Sequence, residues 1–166
     1  LLALAIAAVW LQVALGGWVS TNYAVLACQD FPACQGSWWP PMDFRQGFEL
    51  WRPLGQTGSG EHVSFAALTA IHYAHRLAAY VVLGLLVITA WQLRHALPRQ
   101  ARWLGALAAW QLASGLSNVV LGWPLVAALA HSGGAAALVV VLTWALCDSS
   151  VAARAGAGAR WQERSA

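Results

Sequence analysis

Four apolar stretches, separated by shorter polar ones, set the pattern of the chain. Residues 1–22 are almost wholly apolar and carry no formal charge. A hydrocarbon core of about 30 Å takes about 20 helical residues, so this run can cross it. Its end, Gly16-Gly17-Trp18-Val19-Ser20-Thr21-Asn22, adds small residues for close helix approach and a Trp of the kind enriched at the interface. Residues 63–92 form the second predicted span and 103–122 the third, closed by a tight Gly122-Trp123-Pro124 turn; residues 125–147 form the fourth. The pattern predicts an all-α integral membrane protein, a four-transmembrane-helix bundle over residues 1–147. A tail over 148–166 follows, in which the Ala/Gly-rich stretch 152–159 is expected to be disordered.

The connection between the first two spans, residues 23–62, is long, and loops of that length are usually functional or disordered. Phe31, Trp38, Trp39, Phe44, Phe48 and Trp51 argue against disorder, because such side chains gain by burial against the membrane surface or the helix mouths. A folded cap is expected, with a short interfacial helix near Phe44 to Trp51.

Charge orients the bundle. Arg94, His95, Arg99 and Arg102 follow the second span, and Arg154, Arg160 and Arg164 follow the fourth. The positive-inside rule makes both clusters cytoplasmic, so both ends lie inside and the long loop lies outside. Hydrophobic residues at 60%, charged residues at 9% and eleven Trp exclude an ordinary soluble domain. Because topology already explains the basic residues, the net charge of +3 gives no ground for a nucleic-acid partner. The chain opens at Leu1 inside an apolar run, which leads us to expect an upstream segment; that run lacks the small-residue cleavage pattern of a signal peptide.

Against this background Ile71-His72-Tyr73-Ala74-His75-Arg76 stands out. Ionisable groups at bilayer depth cost roughly 2.5–3.5 kcal/mol each on insertion scales, so they face a protein interior and mark a site. Of the five His, His62 and His95 fall at the span edge and in the basic loop, where solvation explains them. His72, His75 and His131 remain, all in the outer half of the membrane. An imidazole from each of two helices can bind a heme iron axially, and four-helix bundles commonly hold such sites. Ala127, Ala128, Ala130, Ser132, Gly133, Gly134 and Ala135 would leave room for a flat macrocycle. The plainer alternative makes these His interhelical hydrogen-bond partners and the small residues mere packing. Depth does not choose between His72 and His75, which are only about 4.5 Å apart along a helix axis. Cys28 and Cys34 look like a pair, and Cys147 is a small apolar filler.

Three segments in order, Leu15-Gly16-Gly17-Trp18-Val19-Ser20, Leu26-Ala27-Cys28-Gln29-Asp30-Phe31-Pro32-Ala33-Cys34-Gln35-Gly36 and Ile71 to Arg76, followed by the His131 helix, resemble the heme A synthase family. The resemblance runs from about residue 10 to residue 145 and is closest to the C-terminal half of bacterial enzymes built of two similar four-helix halves. It implies His75 and His131 as the axial ligands of a heme b, with Arg76 a candidate propionate partner. In the other half, thought to take the substrate heme O, a Glu stands three residues before the His-Arg pair; this chain has His72 there. That departure suits a cofactor half and puts in doubt catalysis within this segment. His72 can serve as a hydrogen-bond partner of a propionate or neighbouring helix, or as an alternative ligand.

The resemblance also suggests a Cys28–Cys34 disulfide, either a structural staple or a redox pair, in an oxidising compartment outside the bacterial inner membrane. For so short a loop the chain-entropy contribution is about 2–3 kcal/mol. The implied activity is conversion of heme O to heme A for cytochrome oxidase, the oxidation of a porphyrin methyl to a formyl group. The expected partners are the lipid bilayer, heme O in the other half, and that half itself or a second copy of this chain; the electron acceptor is not legible. Two other classes stand beside this reading: a membrane b-type cytochrome, which leaves the aromatic Cys loop unexplained, and a cofactor-free structural or assembly protein.

Overall fold

A computed structural model describes residues 1–53 and 55–151, with the helical backbone of the last element continuing beyond them. The elements are α1 (Leu2–Thr21), a 3-10 turn (Ala24–Leu26), α2 (Phe44–Gly47), α3 (Phe65–Leu93), α4 (Pro98–Val120) and α5 (Leu125–Ser165). The architecture is all-helical, with no strand among the described residues and only isolated bridges, Cys34 with Ser37 and Gln56 with His62.

The four long helices pack in a ring: α1 on α3, α3 on α4, α4 on α5, and α5 back on α1. Hence α3 and α5 stand on one diagonal and α1 and α4 on the other. Three of them, α1, α3 and α5 to Val151, are long and apolar enough to cross a membrane. By length α4 would also serve, but Gln100, Arg102, Gln111, Ser114 and Asn118 lower its apolarity. Gln100, Ser114 and Asn118 are buried inside the bundle, while Trp103, Trp110 and Leu112 are exposed on its outside. This arrangement, polar inward and apolar outward, reverses that of a helix packed in water.

Helix ends follow local chemistry. α4 starts at Pro98 rather than 103, because a proline at the first helical position loses no hydrogen bond and its φ is already helical. α3 starts at Phe65 under a Ser64 cap, whose hydroxyl accepts from the Ala67 amide at 3.2 Å. α5 runs on past Cys147, where its end was expected; Asp148-Ser149-Ser150 contains no breaker, and both serine hydroxyls bond back to carbonyls one turn earlier. The disorder expected over 152–159 lies outside the described residues. Gly122 and Trp123 both take positive φ in the turn before α5.

The apolar core fills one end of the ring. Ala5, Val9, Val82, Leu86, Leu104, Ala108, Leu138, Val141 and Leu142 form one cluster to which all four long helices contribute. At the other end the 23–62 connection folds as a cap. Its short helix α2 covers only Phe44–Gly47 of the expected Phe44 to Trp51, under an Asp43 cap. Gly47 lets it approach α3, since a Cβ there would stand 2.8 Å from the Ala67 carbonyl. The cap is lashed to α1 by Trp18 Nε1 donating to the Gly47 carbonyl (2.9 Å) and by Arg52 donating to Asn22 (2.9 Å). Trp38, Trp39 and Trp51 are exposed at the cap surface.

Candidate functional site

One layer of the bundle breaks the apolar core. Val9, Val82, Ala108 and Leu138 are a core set with one member on each long helix. Seven residues towards the cap from each, about 10 Å on a helix, come Gly16, His75, Gly115 and His131. The two imidazoles therefore rise from the diagonal helices α3 and α5, and the two glycines face them from the other diagonal.

Each histidine is seated in the same way. A Cβ built at Gly16 would lie 3.2 Å from His75 Cε1, and one at Gly115 would lie 3.1 Å from His131 Cε1. One turn before each glycine is a glutamine. Gln12 Nε2 donates to the His75 carbonyl at 3.0 Å, and Gln111 Nε2 donates to the His131 carbonyl at 2.9 Å. Within the long helices the cassette Gln-x3-Gly thus occurs at 12–16 and 111–115, each time packed on a histidine of the next long helix. The ring contacts differ. Gln12 Nε2 lies 3.0 Å from His75 Nδ1, whereas His131 Nδ1 is 3.0 Å from Ser114 Oγ.

This donor set can be tested against a heme. No third metal-ligating side chain joins the two imidazoles among the described residues, and a macrocycle that brings its own equatorial donors needs only axial ones. The glycines keep side-chain atoms off both rings, and Gln12 Oε1 is buried without a partner in the same layer. The residues fit the group. Of the small residues near His131, Gly134 does not serve as room for a macrocycle: a Cβ there would overlap Gln111 and Trp110, so it is the seat of α4 on α5. Gly133 faces open space.

His72 points elsewhere. It is buried, and its Nδ1 lies 3.0 Å from the Ala24 carbonyl, tying α3 to the 3-10 turn after α1. Arg76 is also buried and reaches into the loop closed by the Cys28–Cys34 disulfide. Its Nη1 donates to the Asp30 and Ala33 carbonyls (2.8 and 3.0 Å) and its Nη2 to the Cys28 carbonyl (2.7 Å). Its terminal nitrogens are thus engaged by the loop carbonyls, and of its three nitrogens only Nε is without a partner. Opposite, Asp30 accepts the Gly36 and Gln35 amides at 2.8 and 2.7 Å. The Gly36 bond above all, with the Gln35 bond and the Arg76 charge behind it, holds the Asp30 carboxyl below its ordinary range. Tyr73 completes the loop's seat: its hydroxyl donates to the Trp38 carbonyl and its ring meets Trp39 edge-on. His62, His95 and Cys147 are exposed.

Gln12, Gly16, Gln111, Ser114 and Gly115 did not figure among the residues expected from the sequence to form the site; a Gln-x3-Gly spacing inside a long helix, which the same spacing at 56–60 in the loop is not, is the signal that marks four of them. The two described clefts, of about 450 and 480 Å³, lie beside the cap and near Arg99, and neither is lined by His75 or His131.

Residues 1–143 match the family COX15-CtaA, described as cytochrome oxidase assembly protein. The chain belongs to that family. A heme A synthase of Shewanella oneidensis is 38% identical over 135 residues, which is 79% of this chain and 40% of the relative. Heme A synthases of Methylobacterium sp. (strain 4-46) and Halalkalibacterium halodurans are 33% and 31% identical, over 73% and 80% of this chain and 32% and 37% of their own lengths. This COX15-CtaA chain therefore spans well under half the length of these curated relatives. No solved structure matches it.

Proposed function

We propose that this chain is the heme b-holding half of a heme A synthase, with His75 and His131 as axial ligands. The observation that carries the reading is the shared layer of the two histidines, on diagonal helices, each backed by a glycine where a side chain would strike the ring. When bound, the heme would supply one-electron redox chemistry tuned by its axial ligands and burial. The protein's own part is to hold two neutral imidazoles in register, exclude bulk from their faces through Gly16 and Gly115, and keep the cap closed over the layer through Arg76.

In this reading all four long helices cross the bacterial inner membrane, both ends of the segment are cytoplasmic, and the disulfide loop lies outside. The oxidation of a porphyrin methyl of heme O to the formyl of heme A belongs to the other half of the enzyme. The family membership, the heme A synthase relatives and the replacement of that half's Glu by His72 support the assignment. The test is chromatography of hemes extracted from cells with and without the intact gene. Loss of heme A with accumulation of heme O is expected; unchanged heme A contradicts the reading.

A further inference from the structure

We propose that Ser114 and Gln12 are positioning residues at the Nδ1 edges of the two axial imidazoles: Ser114 commits Nε2 of His131 to the iron, and the orientation of the Gln12 amide decides whether Nε2 of His75 is free to reach it. The inference rests on the heme-binding reading above and adds to it the side chains that orient the ligands.

An imidazole that binds metal through one nitrogen carries its proton on the other, and that N–H needs an acceptor to fix tautomer and ring plane. For His131 the acceptor is in place. The Ser114 hydroxyl donates to the Trp110 carbonyl at 2.7 Å, which leaves its lone pairs for an Nδ1–H at 3.0 Å. Ser114 is itself buried, one residue before the glycine that touches the same ring.

For His75 the partner is present but turned. Gln12 Nε2 lies 3.0 Å from Nδ1 and 3.4 Å from Nε2, so the amide nitrogen straddles the Cε1 corner, while Oε1 is buried and unpartnered. A donor facing Nδ1 favours the tautomer with the proton on Nε2, which cannot ligate. Turning the amide brings Oε1 onto Nδ1–H and gives the orphan oxygen its partner, at the cost of the Nε2 bond to the His75 carbonyl. The two ligands are thus held unequally: His131 is preset by Ser114, and His75 is released by a rotation of Gln12.

The test uses the full-length gene product purified from heme-replete membranes, with heme content, rate of heme transfer to an apo-globin acceptor and midpoint potential as readouts. Gln12→Leu and Ser114→Ala are each expected to lose heme faster, with about 10- to 100-fold weaker retention, and to have shifted potentials. Ser114→Thr, which keeps the hydroxyl, restores retention. Gln12→Glu offers an acceptor in either orientation and is expected to keep the heme and lower the potential by making the imidazole a stronger donor. Folding is monitored by monodispersity and helicity. Variants that fold and match the wild type in transfer rate and potential overturn the inference, as does failure of Ser114→Thr to rescue. If the wild type binds heme but loses none in His75→Ala or His131→Ala, it is the ligand assignment that fails instead.

Discussion

Gly16 lies against the imidazole of His75 with room for a hydrogen and no more: a Cβ there would stand 3.2 Å from Cε1. Its neighbour Gly17 faces open space. The pair separates two roles of glycine in a helix, since alanine gains up to about 1 kcal/mol of helix propensity wherever its Cβ is free. Gly17→Ala is therefore expected to be neutral or stabilising. Gly16→Val and Gly115→Val would drive a branched side chain into the histidine, costing about 1–3 kcal/mol of overpacking. Heme content of the purified variants checks this: it should fall at Gly16 and Gly115 and hold at Gly17.

Arg76 anchors the cap. With three loop carbonyls on its guanidinium, Arg76→Ala leaves buried acceptors unpaired, and a loss of about 1.5–3 kcal/mol is expected even if only one of these charged hydrogen bonds counts in full. Arg76→Lys should recover only part, because an ammonium lacks the planar fork. Thiol labelling after a limiting dose of reductant reports the effect directly: Cys28 and Cys34 should become more reducible in both variants, most in Arg76→Ala.

His72 and His75 should separate in mutagenesis. His72→Leu removes the bond to the Ala24 carbonyl, which keeps the Ala27 amide as a donor, and is expected to cost about 0.5–1.5 kcal/mol. Its heme content should stay at the wild-type level, measured on the folded fraction, whereas His75→Ala should lose the heme.

Acid should loosen the cap through Asp30. Its carboxyl is held below the ordinary 3.8 by the Gly36 and Gln35 amides, so its contribution to stability is fully present above that value and is lost as pH falls through the folded one. Asp30→Asn keeps an acceptor but no charge. The difference in melting temperature between wild type and Asp30→Asn should therefore be largest at neutral pH and vanish in acid below the carboxylate range; a difference independent of pH would contradict the role given to the charge.

Much of this architecture was legible before any coordinates. The apolar runs marked α1, α3 and α5, because a lipid-facing helix must be apolar over its whole length. The start of α4 was misplaced because Arg99 and Arg102 read as loop residues, whereas they lie in its first turns behind Pro98. His75 and His131 were legible as costly polar residues at depth. What separates His72 from His75 is the neighbour each meets, the Ala24 carbonyl or Gln12, and helix depth carries no information about that. Gly16 read as a packing residue because its partner lies far away in the chain, and the small residues around His131 read as space although Gly134 is already filled by α4.

The central claim is that His75 and His131 jointly ligate one heme. The most direct measurement is the absorption spectrum of the purified full-length protein, oxidised and reduced, beside His75→Ala and His131→Ala. The account predicts a low-spin bis-imidazole heme b spectrum in the wild type, and a loss of heme or a high-spin signal from that site in each single variant. A low-spin heme b spectrum unchanged in both variants would contradict it.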